Sequence, residues 1–102
     1  MNGASSDNHD EGAVVVRDFD IINQRGLHAR ASAKFVQLVA GYNAKVTVEK
    51  DGIRVGGTSI MGLMMLAASS GCCIRVTAQG AQAQEVIDAL DELIKQRFGE
   101  EC

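Results

Sequence analysis

Tryptophan and proline are absent from this chain of 102 residues, and its aromatic side chains are one tyrosine and three phenylalanines. So few flat rings exclude a surface that holds single-stranded nucleic acid by base stacking. Basic charge is also scarce: 10 lysines and arginines stand against 13 aspartates and glutamates, for a net charge of −3. A nucleic-acid binder usually carries a clear basic excess, so no nucleic-acid partner is expected. No apolar run approaches the roughly 20 residues that cross a bilayer. The opening MNGASSDNHDEGA has neither the basic start nor the apolar stretch of a secretory signal. The expectation is a cytoplasmic protein without membrane insertion. Cysteine is limited to Cys72, Cys73 and Cys102, with no CxxC spacing. With His9 and His28 as the only histidines, a zinc site is poorly supported, and reduced thiols are the simpler reading. The lack of proline has no evident physical reason.

What is present suffices for one domain around one core. Residues 1–13 are rich in Ser, Asn, Asp and Gly, and a disordered tail is expected there, with an inert His9. The domain is expected over residues 14–102. In VRDFDII, Phe19 and Ile21 share one parity and Asp18 and Asp20 the other, the mark of a half-buried strand. Asn23 to Gly26 reads as a loop. From Ala29 the period lengthens: Ser32, Phe35, Val36 and Val39 share one helical face, and Gly41 marks its end. AKVTVEKDGIRV reads as a hairpin about an Asp51-Gly52 turn. A second helix is expected after Ser59, a natural N-cap, with Gly71 as its stop. Ile74, Val76 and Ala78 alternate in another strand. Val86, Ile87, Leu90, Leu93 and Ile94 form the stripe of a last helix, expected to dock across the strands. The order β-α-β-β-α-β-α predicts an α+β fold with a single sheet covered by helices on one side.

Two stretches invite chemistry. In GLHAR, His28 falls at the mouth of a helix, where the first backbone N–H groups lack partners and the dipole is positive. Such an end suits an anion. An imidazole there is a nucleophile whose phosphoryl group would lie over those N–H groups, with Arg30 adding a charge-assisted contact. Taken locally, His28 also fits an ordinary capping residue. In TSIMGLMML, Leu63 and Leu66 suit one face, and Ile60, Met61 and Met64 lie on another. A short helix on a one-layer sheet cannot bury both, so the second face either docks a partner or plugs an irregular core. A phosphate on Ser59 would be tolerated by the helix start and would add about −1.5 to −2 charges beside that face.

Together, GLHAR with its following helix and TSIMGLMML about 30 residues later resemble the HPr family. These are the histidine phosphocarrier proteins of the bacterial phosphoenolpyruvate-dependent phosphotransferase system. The resemblance spans residues 14–98. It implies an open-faced β-sandwich, four antiparallel strands covered on one side by three helices. It implies that His28 takes a phosphoryl group on Nδ1 from enzyme I and passes it to IIA-type acceptors, with Arg30 assisting. Ser59 matches the serine modified by HPr kinase/phosphorylase in bacteria that have one. Ile60, Met61 and Met64 match the docking surface, and Leu27, beside the histidine, is expected to dock partners with them. The molecule would be a monomeric, stoichiometric carrier needing no metal or cofactor, in a sugar-transport or a nitrogen-type regulatory system. Ala31 stands where the family usually has proline; alanine also suits a first helical turn. The alternative is a regulatory binding module switched at Ser59, without phosphotransfer.

Overall fold

The computed structural model describes residues 13–100. Residues 1–12 and 101–102 lie outside the described residues, and with them nearly all of the expected tail, His9 and Cys102. Seven strands and α-helices follow in the expected order, with a short 3-10 turn (Arg97–Gly99) after the last: β1 (Val14–Asp20), α1 (Ala29–Ala40), β2 (Lys45–Lys50), β3 (Ile53–Gly56), α2 (Ile60–Met65), β4 (Cys73–Gln79) and α3 (Ala83–Lys95). The strands lie in the order β1-β4-β2-β3, and every neighbouring pair is antiparallel.

Strand parity decides which face is covered. Phe19, Val46, Val48, Ile74, Val76 and Ala78 point inward and are buried. They meet Ala31, Phe35 and Val39 of α1, Leu63 of α2, and Val86, Ile87, Leu90 and Ile94 of α3 in one core. The other face carries a row of alternating charge across all four strands. Asp18 stands opposite Arg75, Arg75 opposite Glu49, and Glu49 opposite Arg54. Arg75 grips Asp18 with two bonds, of 2.8 and 3.2 Å, and these hold the Asp18 carboxyl below its ordinary range. A face compensated in this way needs no cover.

Turn chemistry follows local sequence at most corners. Asp51 and Gly52 take φ of 52° and 82°, the paired positive angles of a tight hairpin turn. Two helix ends differ from expectation. Gly41 does cap α1, but in the right-handed region at φ −85°, so its glycine freedom is not used there. Gly71 does not stop α2. That helix ends at Met65 with Leu66 as its C-cap, and Ala67 follows at φ 53°, the left-handed position that glycine usually fills. Gly71 sits further on, where its amide donates to the Ile21 carbonyl at 2.7 Å.

One glycine brings the two functional segments together. Gly26 has φ 66°, and a Cβ there would lie 2.4 Å from the Ala68 carbonyl oxygen. This close approach lets the Leu27 amide donate to that oxygen at 2.9 Å, joining the loop before α1 to the segment after α2. Urea unfolding should therefore find Gly26→Ala destabilised by about 2 kcal/mol or more, through clash and strain together. Ala67→Gly should instead gain about 1 kcal/mol by relieving a left-handed alanine. A loss at Ala67→Gly would show that chain freedom outweighs strain at this corner.

Candidate functional site

The start of α1 is built by its preceding loop. Asn23 is fully buried, and its Nδ2 donates to the Gly26 carbonyl at 2.9 Å. Ser32, also fully buried, sends its hydroxyl back to the Leu27 carbonyl at 3.1 Å. Held between these two bonds, His28 becomes the N-cap in extended geometry, φ −74° and ψ −177°. Its carbonyl accepts from the Ser32 amide at 2.8 Å, closing the first helical turn. Its ring does the capping: Nδ1 accepts from the Arg30 amide at 3.2 Å.

This bond assigns the tautomer. Nδ1 accepts, so it presents a lone pair, and the neutral ring carries its proton on Nε2. Nε2 lies 3.2 Å from Oε2 of Glu100. That oxygen is buried and makes no hydrogen bond, so its closest compensation is the His28 edge. The other oxygen, Oε1, accepts from the Arg25 amide at 3.3 Å. Burial pushes the Glu100 carboxyl up. The Arg25 amide, the Asn23 side chain, the neighbouring His28 ring and the Gln24 amide together outweigh it and bring the group below its ordinary range.

Glu100 reaches His28 through a sharp reversal after α3. Arg97, Phe98 and Gly99 take φ of 57°, 55° and 75°. Phe98 is buried in the core, and Lys34 Nζ donates to its carbonyl at 2.8 Å. The result is a pocket of about 290 Å³ lined by Arg25, His28, Arg30, Ala31, Lys34, Phe98, Gly99 and Glu100. Three cationic side chains face one carboxylate around the open end of α1. That balance suits an anion with several oxygens.

The second expected stretch forms α2. Ser59 is its N-cap, and its exposed Oγ accepts from the Gly62 amide at 2.9 Å. Leu63 and Leu66 are buried, whereas Ile60, Met61, Met64 and Met65 are 40, 72, 44 and 69% exposed. So four large apolar side chains share the surface of a six-residue helix. Met65 was not among the residues expected there. A second hollow, lined by Arg25, Leu27, His28 and Ala67 to Ser69, lies where the end of this segment meets the His28 loop.

Of the expected residues, His28 and Arg30 share one pocket, and Ile60, Met61 and Met64 share one exposed face. Leu27 requires a correction. It is 5% exposed and belongs to the core, because the turn at Gly26 swings it beneath α1, so it braces the site from below and offers nothing to a partner. Arg25, Lys34 and Glu100 went unrecognised in the sequence. Lys34 could have been found, since it follows Arg30 at the i,i+4 spacing of one helical face. Glu100 has no local signal. Among the described residues no cluster of His, Cys, Asp and Glu could hold a metal ion. No helix there is long and apolar enough to cross a membrane.

Comparison with known proteins matches residues 15–96 to the family PTS-HPr, described as the PTS HPr component phosphorylation site. The phosphocarrier protein HPr of Cupriavidus necator is 49% identical over 87 residues, covering 85% of this chain and 98% of the relative. HPr of Neisseria meningitidis serogroup A matches to the same extent. Among solved structures, an HPr from Thermoanaerobacter tengcongensis aligns with a TM-score of 0.82 at 41% identity, covering 86% of this chain and 99% of its own. A Bacillus anthracis HPr aligns at 0.77 and 37%, covering 81% and 99%.

The brace beneath His28 can be tested apart from any chemistry. Ser32→Ala leaves the buried Leu27 carbonyl without its hydroxyl donor. A loss of about 1–2 kcal/mol is expected in urea unfolding. An unchanged midpoint would mean that this bond does not hold the loop.

Proposed function

The chain belongs to the HPr family of phosphocarrier proteins of the phosphotransferase system, and from that premise we propose that His28 is the residue that carries the phosphoryl group. The observation that supports this most is the placement of Nδ1. It holds a lone pair at the open end of a 12-residue helix, inside a pocket ringed by Arg25, Arg30 and Lys34.

The chemistry follows from that placement. Enzyme I supplies the group as a phosphohistidine. The Nδ1 lone pair attacks phosphorus in line with the bond that breaks, and the donor imidazole keeps that bond's electron pair. The transferring group carries its charge on oxygens. These oxygens replace the ring nitrogen as acceptors for the first-turn amides of α1, and the guanidinium of Arg30 stabilises them further. The nitrogen–phosphorus bond is labile, so the group can move on to a histidine of a IIA-type acceptor. The protein acts as a stoichiometric carrier with no turnover of its own.

The exposed face of α2 serves as the docking surface. Met61 and Met64 are flexible enough to fit several partners in turn, and a patch this small releases quickly. Ser59 stands at its rim as the regulatory phosphorylation site. A phosphate there keeps the helix start intact while placing charge beside an apolar contact, where burial against a partner becomes costly.

Intact-mass analysis after incubation with phosphoenolpyruvate and the host's enzyme I tests the carrier role. One acid-labile phosphoryl adduct is expected on the wild type and none on His28→Ala. No adduct on either protein, beside an active enzyme I control, would favour a binding module switched at Ser59. Ser59→Asp should slow His28 phosphorylation, by about tenfold if the docking contact loses near 1.4 kcal/mol. Equal rates would argue against coupling between the two sites.

A further inference from the structure

The two nitrogens of the His28 ring face opposite surroundings, and we propose that Glu100 is the positioning residue that reserves Nδ1, rather than Nε2, for the phosphoryl group. The proposal rests on reading His28 as the acceptor and concerns how its two nitrogens are told apart.

An imidazole offers either nitrogen to an electrophile, and the choice depends on which one holds the proton and which one is accessible. Nδ1 points at the first-turn amides of α1, with the Arg30 amide 3.2 Å away. Nε2 lies 3.2 Å from a carboxylate oxygen of Glu100. That carboxylate does three things. It keeps the ring proton on Nε2, which removes the in-plane lone pair there. It occupies the volume that an attacking phosphorus would need. It also repels an anionic donor on that side only, while Arg25, Arg30 and Lys34 attract one to the pocket as a whole.

The carboxylate is held for this task. Glu100 Oε1 is tied to the Arg25 amide. The turn that delivers it is anchored by buried Phe98 and by the bond from Lys34 to the Phe98 carbonyl. Oε2 makes no hydrogen bond despite its burial, and among the described residues the Nε2 edge of His28 is the basic group that lies against it, at 3.2 Å. Bond bookkeeping agrees. When Nδ1 forms its bond to phosphorus, Nε2 keeps its proton and the ring becomes cationic. Glu100 faces the charge that develops, and no proton has to leave during transfer. Without this side chain, Nε2 would open onto the same cationic pocket, and the two nitrogens would compete.

Regiochemistry tests this, because a merely structural role would leave it unchanged. The full chain is used in a His9→Ala background, which removes the other histidine. Phosphoramidate serves as a small donor that needs no docking surface, and NMR of the phosphoimidazole distinguishes the Nδ1 from the Nε2 adduct. The wild-type site should give the Nδ1 adduct. Glu100→Ala should lower the Nδ1:Nε2 ratio by about tenfold or more, the scale of losing a contact to a charged group. Glu100→Gln keeps the shape and loses the charge, so a smaller fall in the same direction is expected. Thermal melts confirm that each variant is folded. Nδ1 adduct alone in both variants would overturn the role of Glu100 and leave the carrier reading intact. No adduct at His28 in the wild type, either from phosphoramidate or from enzyme I and phosphoenolpyruvate, would overturn both.

Discussion

A single hydrogen bond, from the Arg30 amide to the ring of His28, joins the architecture to the chemistry. Most helices take their N-cap from a hydroxyl or a carboxylate, because a small oxygen satisfies an unpaired amide at low entropic cost. Here an imidazole fills that place. On the proposed reading, the amide that would otherwise lack a partner is the one that would meet a phosphoryl oxygen. The cap would then have two possible acceptors at one position, and exchange between them would need little motion of the backbone. Everything beneath the cap keeps that backbone still: Asn23 and Ser32 from the sides, Leu27 in the core, and the Gly26 turn pressed on Ala68.

The site draws on three separate parts of the chain. The loop before α1 contributes Arg25 and His28, the helix itself Arg30 and Lys34, and the turn after α3 contributes Glu100. The apolar face of α2 joins through the contact between Leu27 and Ala68. Charge and apolar surface are thus kept apart. The pocket is polar and cationic, and the neighbouring helix is apolar and rich in methionine. The two surfaces are set by different residues, so either can be altered without touching the other.

Much of this was legible in the sequence, for a reason that particular residues make plain. Periods of two and of 3.6 residues report burial directly, so Phe19 and Ile21, or Leu63 and Leu66, reveal which way an element faces. His28 and Arg30 were legible because the helix start is a local event. The misses share the opposite property. Glu100 reaches His28 only because the chain reverses after α3 and returns to α1, which no window of neighbouring residues reports. Leu27 was misjudged because its place beside His28 in the motif suggested a shared surface, whereas one left-handed glycine sends its side chain inward. The end of α2 was misjudged because Ala67 accepts an angle that glycine would take more easily, and the eye goes to Gly71 instead.

The strand order has a consequence for the birth of the molecule. β1 is the first strand made, yet it hydrogen-bonds only to β4, with Val14 opposite Gln79. During synthesis the first strand must wait, unpaired, until the last has been made. The helix that covers both, and the turn that brings Glu100 to His28, come later still. A growing chain therefore owns its histidine early and its pocket only at the end. A chain that stops anywhere before Glu100 would carry the histidine motif and lack the carboxylate that lies 3.2 Å from its ring.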